Sequence, residues 1–161
     1  MHGKMKRNTT GRTATIIILL ILLCIGGCWN VTTSQSMSFA VETGDCIRTT
    51  LDTTQGYSLA QDDGMFLVKN GDEIILQGIF QTRDQYEAQE AMIRGTPGVQ
   101  ILSESNNMLS YYYKDGAAGP EVGYLFLVDD SDTGVYLASL MDQQKADQAF
   151  ARMSFEKVSE K

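Results

Sequence analysis

The sequence predicts an α+β fold: an antiparallel β-sheet carrying two amphipathic helices, preceded by a signal peptide. Three observations carry that prediction. Met65-Phe66-Leu67-Val68 and Glu73-Ile74-Ile75-Leu76 flank Lys69-Asn70-Gly71-Asp72, and Asn-Gly is favoured at a hairpin tip because both turn residues need positive φ. Thr82, with Gln85 three residues later, forms a capping box that starts a helix at Arg83. Ala146, Ala149, Phe150 and Met153 recur at i, i+3, i+4 and i+7, the one-sided stripe of a second helix.

The N-terminus differs in kind from the rest. Lys4, Lys6, Arg7 and Arg12 precede an apolar run from Ala14 to Ile25, and Gly26, Gly27 and Cys28 follow. A basic n-region, a short apolar h-region and small residues at its end make up a secretory signal. Ile25-Gly26-Gly27-Cys28 resembles the bacterial lipobox. The resemblance implies a signal peptide over residues 1–27 and lipid attachment at Cys28, on the extracytoplasmic side of the cell membrane. Small side chains let a peptidase reach the backbone, and the thiol is the good nucleophile for acylation. Cys24 lacks that context, since Leu22 and Leu23 precede it. Two acyl chains hold a protein stably where one is marginal. The alternative is an uncleaved single-pass helix at about 14–31. Its apolar run is about 12 residues, or roughly 18 when extended through the glycines, against the ~20 a span needs.

Removal of residues 1–27 takes away four of the 13 basic residues and none of the 20 acidic ones, leaving nine against twenty, a net charge of −11. Such a chain has no electrostatic route to a phosphate backbone, which excludes nucleic acid as a partner class. With Cys28 acylated, Cys46 is the one remaining thiol, so no intramolecular disulfide forms. Beside Ile47 it reads as a small apolar packing residue.

Trp29 to Ser38 is uncharged and rich in Ser and Thr, so residues 28–38 read as a lipid-anchored polar tether. Residues 39–161 read as a single extracytoplasmic domain. Two faint strands, Cys46–Leu51 and Tyr57–Leu59, precede the hairpin, whose second strand runs to Phe80. The helix from Arg83 ends at Arg94, with Gly95 as a left-handed cap and Pro97 blocking continuation. Val99–Ser103 and Met108–Lys114 read as strands around an Asn106-Asn107 turn. Residues 115–120 are a loop, and Tyr124–Val128 and Val135–Leu140 are the last strands. Asp142 caps the final helix. Strands joined by short turns are antiparallel neighbours, and two amphipathic helices cover one or both faces.

This layout resembles the small α/β/α-sandwich domains of the PsbP, Mog1 and DcrB-like group over about residues 45–157. The resemblance rests on Gly56-Tyr57-Ser58-Leu59 before the long hairpin, the helix after its second strand, and Met153-Ser154-Phe155 closing the last helix. Gly56-Tyr57 lacks the Pro-Gly-Trp often seen following it in that group. The resemblance implies an accessory or binding role without a catalytic motif.

The chemistry the chain excludes is specific. His2 is the only histidine and lies in the signal, so Ser-His-Asp and Cys-His triads and histidine-based zinc sites are excluded from the mature chain. One thiol excludes cysteine clusters. No phosphate-cradling glycine motif is present. No cofactor and no catalytic residue is therefore expected.

Two groups of residues stand out. Asp129, Asp130 and Asp132 with Gly134 superficially match a calcium loop, but aligning Gly134 with the invariant glycine puts Leu140 where the bidentate Glu belongs. The plain reading is an acidic hairpin turn. Tyr111, Tyr112 and Tyr113 lie on a strand, with Tyr111 and Tyr113 on one face and Tyr112 on the other. They read either as an aromatic platform for a partner or as one core face and one surface residue. The function expected is a non-enzymatic, lipid-anchored accessory or binding protein of the cell envelope, with an unidentified envelope protein or ligand as partner. The alternatives are a single-pass membrane protein and a metal-dependent or hydrolytic module built on carboxylates.

Overall fold

The computed structural model describes residues 33–105 and 107–158. The expected signal segment, Ile25, Gly26, Gly27 and Cys28, the first residues of the tether and Asn106 lie outside the described residues. Among the described residues no helix is long and apolar enough to cross a membrane.

The elements follow in the order β1 (Ser34–Ala40), β2 (Cys46–Asp52), β3 (Tyr57–Asp62), β4 (Met65–Asn70), β5 (Glu73–Thr82), α1 (Arg83–Gly95), β6 (Val99–Ser105), β7 (Met108–Tyr113), β8 (Glu121–Leu127), β9 (Thr133–Ser139), α2 (Gln143–Phe150) and β10 (Met153–Lys157). They form a three-stranded sheet, β1-β2-β10, and a seven-stranded sheet, β3-β4-β5-β9-β8-β7-β6. Every pairing is antiparallel. This is the antiparallel α+β architecture that the hairpin and helix signals predict.

Strand alternation gives the large sheet two apolar faces. Val122, Tyr124, Val135 and Leu137 face a core shared with Phe66, Val68 and Leu76, with Ile47 and Leu51 of β2, and with Ala146 and Ala149 of α2. Leu109, Tyr111 and Leu125 face Tyr86 and Ile93 of α1 on the other side. Thus α1 covers one face, while α2 and the small sheet cover the opposite one. Four phenylalanines join the two sheets: Phe39 and Phe66 lie 5.1 and 5.2 Å from Phe80, and Phe155 lies 5.7 Å from Phe66. Such tilted pairs add roughly 0.5–1.5 kcal/mol each beyond the area they bury.

Both arms of the capping box at α1 are made: Gln85 N–H donates to Thr82 Oγ1 and Thr82 N–H donates to Gln85 Oε1. Asp142 caps α2 by accepting from Lys145 N–H at 3.0 Å. Arg94 then ties α1 to β6, donating to Glu90 and to Glu104.

Three expectations are corrected. Residues 34–38, expected within the tether, are most of β1. Their polar composition hides a strand whose inward residues are Gln35, Met37 and Phe39. Gln35 does backbone work: its amide donates to Leu59 O at 2.8 Å and accepts from Leu59 N–H at 2.9 Å. Gly95 is the last helical residue and has no positive φ; Gly98 takes the left-handed conformation at φ +85°. Thr96 makes this unnecessary at Gly95, because its N–H bonds Ile93 O and its hydroxyl bonds Met92 O. Met153 does not extend the final helix. The helix stops at Phe150, and Met153-Ser154-Phe155 belong to β10, paired with Leu51, Thr50 and Thr49. Arg152 pulls the chain off the helix axis, bonding Asp52, Thr54 and Gln55 and lying 4.7 Å over the Tyr57 ring.

Candidate functional site

The residues singled out in the sequence fall in two places. The first is a polar cleft of about 730 Å³ at the β8–β9 turn, with Asp129, Asp130, Ser131 and Asp132 on one side and Thr43 and Asp45 of the β1–β2 turn on the other. The cleft is bonded to itself. Lys157 Nζ meets Asp45 Oδ1 at 2.7 Å and Ser131 Oγ donates to Asp45 Oδ2 at 2.6 Å. The hydrogen bonds and charge of Lys157, with help from Ser131, hold the Asp45 carboxyl below its ordinary range. Thr43 and Thr133 share a hydroxyl contact of 2.7 Å, and Arg83 Nε donates to Asp132 Oδ1 at 2.8 Å. Asp132 is therefore turned toward Arg83, while Asp129 and Asp130 are exposed, Asp130 with φ +57°. Among the described residues no three His, Cys, Asp or Glu side chains stand where they could hold one metal ion.

The second place is built on the first residue of the tyrosine run, Tyr111. Tyr111 is buried against α1 in the same cluster that Tyr113 borders, whereas Tyr112 packs against the opposite core. Alternation thus separates Tyr112 from its neighbours, as strand geometry demands. Tyr111 Oη donates to Glu121 Oε1 at 2.5 Å, Tyr136 Oη donates to the same oxygen at 2.9 Å, and the two hydroxyls are 2.8 Å apart. Burial, reinforced by Glu121, pushes the Tyr111 phenol far above its ordinary value, and burial raises Tyr136 to about 12. Both remain protonated donors at any physiological pH. Glu121 Oε1 is thus fixed by two hydroxyls, and no hydrogen bond from the described residues reaches its Oε2.

Glu121 lines a cavity of about 530 Å³ whose other walls include Ile74, Ala138, Leu140 and Met141. Ile74 and Leu140 are 37% and 52% exposed, which makes the rim apolar and open. A small set of polar groups in apolar surroundings is the usual composition of a binding cavity.

The sequence reading missed Glu121, Gly123 and Tyr136 as members of this group. The signal was Gly123, an isolated glycine inside a strand pattern, which marks a close approach. A Cβ there would stand 2.2 Å from Tyr111 Cε1. Cys46, the described thiol, is half-buried on β2.

No protein-family model matches the chain, and no curated protein matches it.

Proposed function

We propose that the chain is a lipid-anchored extracytoplasmic accessory or binding protein of the bacterial cell envelope, attached at Cys28 and acting without catalysis. The observation that carries this reading is Ile25-Gly26-Gly27-Cys28 behind a basic and then apolar leader. Supporting it, the chain after Cys28 has no histidine and is strongly acidic. With β1 starting at Ser34, the link from Trp29 to Thr33 is five residues and reaches at most about 18 Å. The same reading assigns the domain to the PsbP, Mog1 and DcrB-like group, supported by helices on opposite faces of an antiparallel sheet. Within it, the cavity beside Glu121 is the binding element.

Intact mass of the membrane-extracted protein, wild type beside Cys28→Ala, tests the anchor. The expected result is a wild type beginning at an acylated Cys28 and a mutant without the acyl mass. A full-length, unmodified wild type would overturn the reading and make residues 14–31 a membrane-spanning helix.

A further inference from the structure

We propose that the cavity beside Glu121 takes an alkylammonium group, with the carboxylate as counter-charge and Ala138, Leu140 and Ile74 as the wall for the alkyl chain. This rests on the domain being a binding module and is independent of how the chain is anchored.

Charge sets the ligand's sign. The cavity lining carries two carboxylates, Asp72 and Glu121, and no basic side chain. An anion would be repelled, and a neutral alcohol would forgo the charge-assisted hydrogen bond, which is roughly twice as strong as a neutral one.

Geometry sets the contact. Tyr111 and Tyr136 converge on Oε1 and fix the carboxylate before any ligand arrives, so little side-chain freedom is lost on binding. Oε2 is left to accept from a cation, and an ammonium brings three donors. The hydroxyl of Tyr111 reaches Glu121 because Gly123 beneath the ring has no Cβ. Three positions on three strands are thereby committed to holding one carboxylate at the cavity.

The apolar rim sets the rest. Ile74 and Leu140 are large exposed hydrophobic residues, and each gains by covering a methylene chain. The alkylammonium chemistry is shared by a free amine and by the side chain of a lysine.

The test uses the full chain in a nonionic detergent, with ¹³C-methyl labels on Ala and Leu, titrated with n-butylammonium, Nα-acetyl-lysine N-methylamide, n-butanol and butyrate. Saturable shifts at the Ala118, Ala138 and Leu140 methyls are expected with both ammonium compounds. n-Butanol should bind at least tenfold more weakly, and butyrate should not bind. Glu121→Gln, whose amide oxygen still accepts from the tyrosines, should lose at least tenfold in ammonium affinity. Tighter binding of the acetyl-lysine compound assigns the site to a lysine side chain, and tighter binding of n-butylammonium to a free amine; both support the proposal. n-Butanol matching n-butylammonium, undiminished binding by Glu121→Gln, or no saturable shift with either ammonium would overturn it. If Glu121→Gln fails to fold, the comparison of n-butylammonium with n-butanol on wild type decides. Failure here leaves the mass of the anchored Cys28 protein unaffected, so the two readings fail separately.

Discussion

The Tyr111 ring lies over Gly123, its cross-strand partner, so closely that a Cβ at that glycine would sit 2.2 Å from Cε1 and 2.6 Å from the hydroxyl. An aromatic ring covering a strand glycine compensates for the side chain the glycine lacks. Here the ring cannot swing aside, because its hydroxyl is bonded to Glu121 and contacts Tyr136. Gly123→Ala should therefore cost about 1–3 kcal/mol, the usual penalty for overpacking a filled core. Urea denaturation reads this directly, and an unchanged midpoint would show that the ring is free to move.

Gly95 and Gly98 should respond in opposite directions. Gly95 lies within α1 with no positive φ and nothing near its absent Cβ. Gly95→Ala should be neutral or stabilising by up to about 1 kcal/mol. Gly98, at φ +85°, should lose about 1–2 kcal/mol on change to Ala. The reverse order in thermal melts would mean that Gly95 is the left-handed residue after all.

Thr49 is fully buried on β2, and its hydroxyl has no hydrogen-bond partner among the described residues. It shares the small sheet with Met37 and Phe155, its cross-strand partners. Removing an unpaired buried hydroxyl while keeping the branched shape should help, so Thr49→Val is expected to raise stability by about 1 kcal/mol. A loss of stability in chemical denaturation would indicate a partner for that hydroxyl.

Alkaline pH should unfold the domain. A tyrosine ordinarily ionises near 10.0, whereas burial raises Tyr111 and Tyr124 well beyond that and Tyr136 to about 12. A raised folded-state value means the folded chain holds its protons longer than the unfolded one. The associated stability is complete below pH 10 and falls as pH climbs toward and through the folded-state values. Absorbance at 295 nm followed beside circular dichroism should show these three phenolates appearing only as the fold is lost. Ionisation of all seven tyrosines near pH 10 with the fold retained would contradict this.

Local signals served well where chemistry and geometry are local. Thr82 with Gln85 marked the start of α1 and Asp142 the start of α2, because each is decided within four residues. Asn70-Gly71 marked the hairpin but not its tip: Asn70 ends β4 opposite Glu73, the two turn residues are Gly71 and Asp72, and of the Asn-Gly pair Gly71 alone takes a positive φ. β1 was illegible because its strand character depends on partners elsewhere: Thr50 pairs with Ser36, and Leu59 accepts and donates to Gln35. β10 was hidden for a similar reason. Met153 continues the apolar spacing of α2, but it pairs with Leu51 of β2, and Arg152 before it is bonded to Asp52 about a hundred residues earlier. Of the candidate residues, Tyr111 was visible as part of a distinctive run. Its partners were not, because which residues of β8 and β9 stand beside it is set by the registers Tyr111↔Gly123 and Leu125↔Tyr136, which the connecting loops alone do not fix.

The position of β2 between the first and last strands has a temporal consequence. Leu51 meets Met153, 102 residues later, and until β10 arrives β2 has only β1 beside it. At roughly 5–20 residues per second, synthesis of that interval takes about 5–20 s. Through that time the nascent chain keeps an unpaired edge on β2 and leaves Phe66 without the Phe155 ring. Completion of the small sheet thus waits for the synthesis of β10, which leaves an interval in which machinery handling unfolded chains can engage the chain.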